Sequence, residues 1–376
     1  MKNNNKTEIL KIAIIGCGRI AGHHCQAIAQ TEGAKLIAVC DIDPVRASEY
    51  GEFFNIPVFK NYNEMLQNRE EIDTLVIATP SGMHYEHAID IMSNYKKNIV
   101  VEKPTFMRPT QLESAVKIAE KNNVYIYPVF QNRYNKAVKR VEKALKTDEL
   151  GSLITLSVRL RWCRPQRYYD LAPWRGTFSH DGGALTNQTI HHVDLMRHLG
   201  GPIKRLNSVM RTLGAKIEVE DTTVGIIEYQ SGALGTLEST TAARPDDFEA
   251  SISLICTKGM AQIGGIAVNE LQIFTPEPEA CAENSEDFLG IKGHGAVYGY
   301  GHLSMYQDIV AHAKNNKMFP ISYDDAFKTL NLLHAFYRSD EIGDWVLVDK
   351  NIESSRLGRA DKNISALYRS PLNESD

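Results

Sequence analysis

The sequence predicts an α/β protein: an N-terminal doubly wound parallel sheet followed by a second α/β domain with a large, mostly antiparallel open sheet. Three observations predict it. A glycine-rich turn joins an isoleucine run to a helical stretch near the N-terminus. Strand-like and helix-like segments then alternate to about residue 130, the pattern of parallel strands with crossover helices. From about residue 151 the apolar spacing changes to period two, the mark of strands with one buried face.

The size and composition suit that reading. The chain has 376 residues, room for two domains, which we divide at residues 1–130 and 131–376. It is 43% apolar and 23% charged, with a net charge of -4. An acidic balance gives no reason to expect nucleic acid as a partner. No apolar run approaches the roughly 20 residues of a membrane span, and the N-terminal residues carry no signal-like apolar core. Six cysteines lie scattered without a Cys-x-x-Cys pair. That argues against a metal centre or disulfide framework and suits a reducing cytoplasm.

The first strand is expected over residues 9–15, followed at once by Gly16-Cys17-Gly18-Arg19-Ile20-Ala21 and a helix to about Ala29. This is the Rossmann dinucleotide fingerprint with alanine in its third place. The first glycine permits the tight turn, the second lets the backbone approach a pyrophosphate, and the small third residue lets helix pack on strand. Helix N-terminal amides then face the phosphates. The second strand, residues 35–40, ends in Asp41, where a carboxylate hydrogen-bonds the adenosine ribose and repels a 2'-phosphate. The expected cofactor is therefore NAD. A helix cap near Pro44 is the competing role for Asp41.

Further strands are expected at 74–78, 98–101 and 124–129, with helices at 83–92 and 109–121. Ligands on such sheets bind beyond the carboxyl ends of the strands. Thr79, Ser81, Lys103 and Gln131 fall there, and Arg19, Ile20, His84 and Glu102 complete the candidate cofactor set. Pro104 holds Lys103 in extended geometry, so its side chain has a defined aim.

In the second half, Leu156, Val158, Leu160 and Trp162 alternate with Ser157, Arg159, Arg161 and Cys163. More strands are expected near 204–211, 222–229, 233–240, 249–255 and 259–264. A helix over 187–198, opened by Gly182-Gly183, should lie against that sheet. Asn187 and His191 are four apart and share one helical face, with Asp194 and His198 near the same stripe. Ile190, Val193 and Met196 form the apolar stripe. An ordered loop over 293–302, helices at 302–315 and 323–342, and a polar tail from Glu353, loose at its end, complete the chain.

Gly16-Cys17-Gly18 with Ala21, then Glu102-Lys103-Pro104, then Gly182-Gly183-Ala184-Leu185 with Asn187 and His191 resemble the Gfo/Idh/MocA oxidoreductases over nearly the whole chain. The resemblance implies NAD chemistry, a catalytic Lys103 paired with His191, and a homo-oligomer built through the open sheet, a tetramer ahead of a dimer. The family's usual aspartate four residues before the histidine is Asn187 here. The segment from Arg161 through Tyr168 to Gly176, with Leu185-Thr186-Asn187-Gln188, resembles more narrowly the UDP-N-acetylglucosaminuronate 3-dehydrogenases of surface-polysaccharide (O-antigen) synthesis, which carry asparagine at this position. That implies oxidation of the sugar C3 hydroxyl.

The residues suit such a substrate. A nucleotide uronate carries a diphosphate and a carboxylate, and arginine forks match both. Arg161, Arg164, Arg167 and Tyr168 are the candidate substrate residues, with Lys103, Asn187 and His191. Alcohol oxidation needs a base for the hydroxyl proton. His191 is the first choice, because its ordinary pKa lies near neutrality. Lys103 would stabilise developing negative charge, and a desolvated lysine leaves the reverse assignment open. Two other readings stand beside this one: a dehydrogenase of another sugar or polyol, and a non-catalytic NAD-dependent regulatory protein, against which the retention of Lys103 and His191 speaks.

Overall fold

The computed structural model describes residues 9–286, 299–315, 317–349 and 352–369. Six strands form the first sheet: β1 (Leu10–Ile15), β2 (Ala34–Cys40), β3 (Val58–Phe59), β4 (Thr74–Ile77), β5 (Asn98–Val101) and β6 (Ile126–Pro128). They pair in the order β3-β2-β1-β4-β5-β6, all parallel. That is the doubly wound order with its crevice at the β1/β4 switch. The strands are near-continuous apolar runs because helices cover both faces. Those helices are α1 (Ala21–Gln30), α2 (Pro44–Phe54), α3 (Tyr62–Asn68), α4 (His84–Asp90) and α5 (Pro109–Asn122). α6 (Lys136–Lys146) leads to the second sheet.

Eight strands form that second sheet. They are β7 (Leu153–Arg161), β8 (Ile203–Arg211), β9 (Thr222–Tyr229), β10 (Leu234–Thr240), β11 (Glu249–Cys256), β12 (Met260–Gly264), β13 (Glu270–Phe274) and β14 (Val346–Leu347). The order is β13-β12-β11-β7-β10-β9-β8-β14, antiparallel except for the parallel β7–β10 pair. The short helices α7 (Gln166–Tyr169), α9 (Ala280–Glu283) and α12 (Lys362–Ala366) lie in its connections. α8 (Ile190–Gly200) and α11 (Tyr323–Ile342) cover one face, and α10 (Gly301–Asn315) packs back on α1. The other face is open and displays Val209, Val224, Ile226, Leu234 and Ile255.

Most expected elements are present within a residue or two. The exceptions are instructive. The stretch expected as one helix over 83–92 is a 3-10 turn, then α4, then a π-helical turn at Ile91–Tyr95. The helix expected from 187 is a π-helical turn, Ala184–Gln188, followed by α8. The ordered loop expected over 293–302 lies outside the described residues up to 298, as does the tail beyond 369. Glu353 itself is tied to Arg108 and Thr110, and Arg369 makes a two-pronged ion pair with Glu86. Among the described residues no helix is long and apolar enough to cross a membrane.

Candidate active site

A cavity of about 700 Å3 runs along the carboxyl ends of β1, β2, β4 and β5 and under the 168–175 segment of the second domain. Its cofactor end is built by the glycine turn. Gly16 has φ +93°, and a Cβ there would stand 2.7 Å from the Ala78 carbonyl oxygen. At Gly18 a Cβ would meet nothing within 4 Å, since that backbone faces the cavity. Ile20 precedes α1 without a side-chain cap, so no side chain competes with a pyrophosphate for this helix N-terminus. These features fit a dinucleotide.

Asp41 lines the same cavity. Its Oδ2 accepts from Cys17 N at 2.7 Å and its Oδ1 from Asp43 N at 2.8 Å. The cap of α2 is Asp43, which accepts from Val45 N and Arg46 N. Asp41 is thereby free of the capping role and holds its carboxylate beside the phosphate loop. We expect tighter binding of NAD than of NADP, and Asp41→Ser should narrow that gap. Fluorescence titration with both nucleotides checks it, and equal affinities in the parent protein would remove the ribose role.

Thr79, Ser81, His84, Glu102, Lys103, Arg19 and Ile20 also line the cavity, as the sequence predicts. His84 has a structural task as well. Its two ring nitrogens bridge the Pro104 and Thr79 carbonyls, each at 2.9 Å, and burial pushes its pKa down. Gln131 does not line the cavity. Its Nε2 meets His191 Nε2 at 3.1 Å behind it.

The other end of the cavity gathers around Lys103. Its Nζ donates to the Asn187 carbonyl at 2.8 Å and to Asn187 Oδ1 at 3.3 Å. Asn187 Nδ2 donates to the buried Asp181. One side-chain amide thus reads a lysine with its oxygen and a carboxylate with its nitrogen. An aspartate at 187 would set two carboxylates against each other, which accounts for the asparagine. Burial lowers the Lys103 pKa against the pull of Glu102 and Asp181. Burial likewise raises that of Asp181.

His191 departs from the sequence expectation. Burial, and then the Lys103 charge, push its pKa down to about 3. It is a neutral imidazole across the physiological range, not a group poised near pH 7. Its Nδ1, like Gln131 Oε1, is buried without a hydrogen-bond partner. Such an atom costs roughly 1–3 kcal/mol. Asp194 and His198 turn away from this site: Asp194 pairs with Arg133 and His198 with Glu142.

The arginine expectation needs correction. Arg161 lies on the open face of the sheet, forked onto Glu238 at 2.6 and 2.7 Å and reaching Glu249 at 3.2 Å. Alternation along β7 puts it opposite the side that packs on α8, so it does not line the cavity. Arg164 is held by Asp247 at 2.8 Å and stacks on Trp162, behind Tyr168. Arg167 is exposed and outside the lining. Tyr168 does line the cavity, as predicted.

The arginine at the Lys103 end of the cavity is Arg175. Its Nη1 donates to Tyr168 Oη at 2.6 Å, its guanidinium stacks on Tyr168 and Trp174, and its Nε is buried without a partner. Sequence reasoning passed over Arg175 and Asp181 as site residues, although Arg175 lies within a quoted motif and Asp181 directly precedes one. Pro-Trp-Arg-Gly and Asp-Gly-Gly each hold one polar residue beside glycines whose φ is positive.

Among the described residues one group of potential metal ligands clusters, His24, Glu102 and His302, within 4.8 Å of one another. Ligands around a tetrahedral zinc, at about 2.1 Å from it, stand about 3.4 Å apart. The His24–Glu102 separation of 2.9 Å is that of a hydrogen bond.

Residues 10–130 match the model of an oxidoreductase family with an NAD-binding Rossmann fold, GFO/IDH/MocA, and residues 138–262 match that family's C-terminal domain. Among solved structures, the WlbA dehydrogenase of Bordetella pertussis, in complex with NADH and UDP-GlcNAcA, is similar at a TM-score of 0.83. It is 31% identical, over 92% of this chain and 99% of that one. The WlbA dehydrogenase of Chromobacterium violaceum, with the same two ligands, gives 0.82 and 31% over 92% and 97%. Among curated proteins, the myo-inositol 2-dehydrogenase of Thermotoga maritima is 23% identical over 242 residues, 62% of this chain and 69% of that protein.

Proposed function

We propose, for a chain that belongs to the GFO/IDH/MocA family of NAD-dependent sugar dehydrogenases, that it oxidises the C3 hydroxyl of UDP-N-acetyl-D-glucosaminuronate. The observation that carries this is the full-length likeness to two dehydrogenases bound to that sugar nucleotide. The narrower segment resemblance supplies the C3 position, and Arg175 supplies a cation for an anionic substrate. The product, a 3-keto uronate, suits surface-polysaccharide synthesis in the cytoplasm.

In this reading Gly16, Gly18 and Asp41 would hold NAD, which would supply the hydride acceptor. Lys103 takes the proton. Its amine already has a lowered pKa, whereas His191 is a weak base at about 3. Asn187 and Asp181 fix the amine, and neutral His191, outside the cavity lining and held by Gln131, backs the site. Proton transfer to a positioned group of this kind typically contributes on the order of a hundredfold or more.

Arg175, with Tyr168, receives the uronate carboxylate or the diphosphate. Losing one charge-assisted hydrogen bond costs roughly 1.5–3 kcal/mol, about ten- to a hundredfold in binding. Arg175→Met should therefore raise KM for the uronate by that factor. If it meets the carboxylate, KM for UDP-N-acetylglucosamine stays unchanged; if it meets the diphosphate, both rise. Steady-state kinetics on the two nucleotides test this. Equal efficiency on both in the parent enzyme sinks the uronate assignment.

The open sheet face supports self-association. Its exposed Val224, Ile226 and Leu234 lie beside the Arg161–Glu238 pairs, a surface suited to a second copy.

A further inference from the structure

Glu102 was expected among the cofactor residues. In the structure both of its carboxylate oxygens already have protein partners. Oε1 meets His24 Nε2 at 2.9 Å, with His302 Nε2 at 3.7 Å. Oε2 accepts from the Lys103 backbone N–H at 3.0 Å. The side chain is 7% exposed, and those of His24 and His302 are 0% and 3% exposed. His24 is held in turn, its Nδ1 at 2.7 Å from Tyr306 Oη. His24 comes from α1, while His302 and Tyr306 come from α10. Two helices from opposite ends of the sequence thus close on one carboxylate directly beside the site lysine.

A buried carboxylate is costly unless it is answered by charge and hydrogen bonds. Burial alone would push the Glu102 pKa up. The His24 and His302 contacts outweigh it and hold the group well below the usual carboxylate range. Glu102 is therefore a permanent negative charge.

We propose that Glu102 is a positioning residue: held by His24, with His302 packed beside it, it fixes the backbone of Lys103 and sets the charge carried by its amine. This rests on the catalytic role given to Lys103 above. The groups facing that amine divide by sign. Burial disfavours its charged form, and Arg175 and Arg164 add to that effect, while Glu102 and Asp181 oppose it. His191 faces it as a neutral ring and Asn187 as a neutral amide. Of the two carboxylates, the burial of Asp181 raises its own pKa, which weakens it as a counter-charge. Glu102 carries no such weakness.

The sign of the effect follows. Glu102→Gln keeps the shape and removes the charge, so the Lys103 amine loses protons at lower pH. The shift should be about one pH unit, the size that loss of a neighbouring opposite charge produces. Glu102→Asp keeps the charge and should stay near the parent. The measurement is the rate of Lys103 acylation against pH in the full-length protein, read by peptide mass spectrometry, because only the neutral amine reacts. It needs no substrate, so it stands even if every UDP-sugar proves inert and the assigned reaction falls.

A midpoint that falls in Glu102→Gln and holds in Glu102→Asp supports the proposal. An unchanged midpoint in Glu102→Gln overturns it, even if kcat drops. Weaker NAD binding with an unmoved midpoint also overturns it and returns Glu102 to the cofactor. Should Glu102→Gln not fold, His302→Gln loosens the hold on the carboxylate charge. It should move the midpoint the same way by less, and no movement there overturns the proposal equally.

Discussion

Lys103→Met should lower kcat by at least about a hundredfold while leaving NAD affinity within a fewfold of the parent. The lysine donates to Asn187 directly, and the asparagine connects it to Asp181. Methionine fills the space but neither accepts the hydroxyl proton nor answers the charge that develops on oxygen. The cofactor end of the cavity is built by other residues, chiefly Gly16, Gly18 and Asp41. A KM effect without a kcat effect would make Lys103 a binding residue only. Stopped-flow hydride transfer and NAD titration on the same preparation separate the two outcomes.

Arg133→Met should cost the fold roughly 3–5 kcal/mol, the usual result of leaving a buried partner uncompensated. Arg133 forks onto Asp194 with two 2.7 Å hydrogen bonds, and Asp194 also accepts from Thr329 Oγ1 at 2.8 Å. Asp325 and Arg197 extend the cluster. Burial pushes the Asp194 pKa up, but Arg133 brings it down, so the carboxylate is charged in the native protein. The group joins α8 and α11 to the turn that carries Gln131. A melting temperature lower by about 4–6 °C is expected. Adding Asp194→Leu should recover part of the loss, since an apolar pair can replace a buried ion pair at little cost. A double variant no better than the single one would show that packing, not charge, is responsible.

The fold was legible because its signals are local. β1, the glycine turn and Asp41 occupy about thirty consecutive residues, and each has a backbone reason to be what it is. The strands of the second sheet were readable from period two alone. That same alternation already put Arg159 and Arg161 on the face opposite Leu156 and Val158. By that pattern Arg161 points away from the substrate side, and the number of arginines in the segment carries no information about their direction. Arg175 and Asp181 sit in turns, where no periodicity tells which way a side chain points. The pKa of His191 depends on Lys103, 88 positions away, and on burial that no short window reports. Glu102 could be seen as part of Glu-Lys-Pro, but not as the meeting point of His24 and His302.

The strand β7 has a consequence for how the chain reaches this state. It sits inside the second sheet, with Leu156 opposite Gly235 on one side and Leu160 opposite Ala250 on the other. Both neighbours leave the ribosome many residues after β7 itself. Until then β7 is a ribbon with two bare edges, the kind of segment that pairs with whatever strand it meets. The first half waits longer still, because Tyr306 and α11 close over α1, α5 and β6. Contacts this distant in sequence slow the search for the native state. A nascent chain halted before residue 234 lacks β10, the strand that joins β7 to β9 and β8, and this stage of synthesis is where holding chaperones have the most to cover.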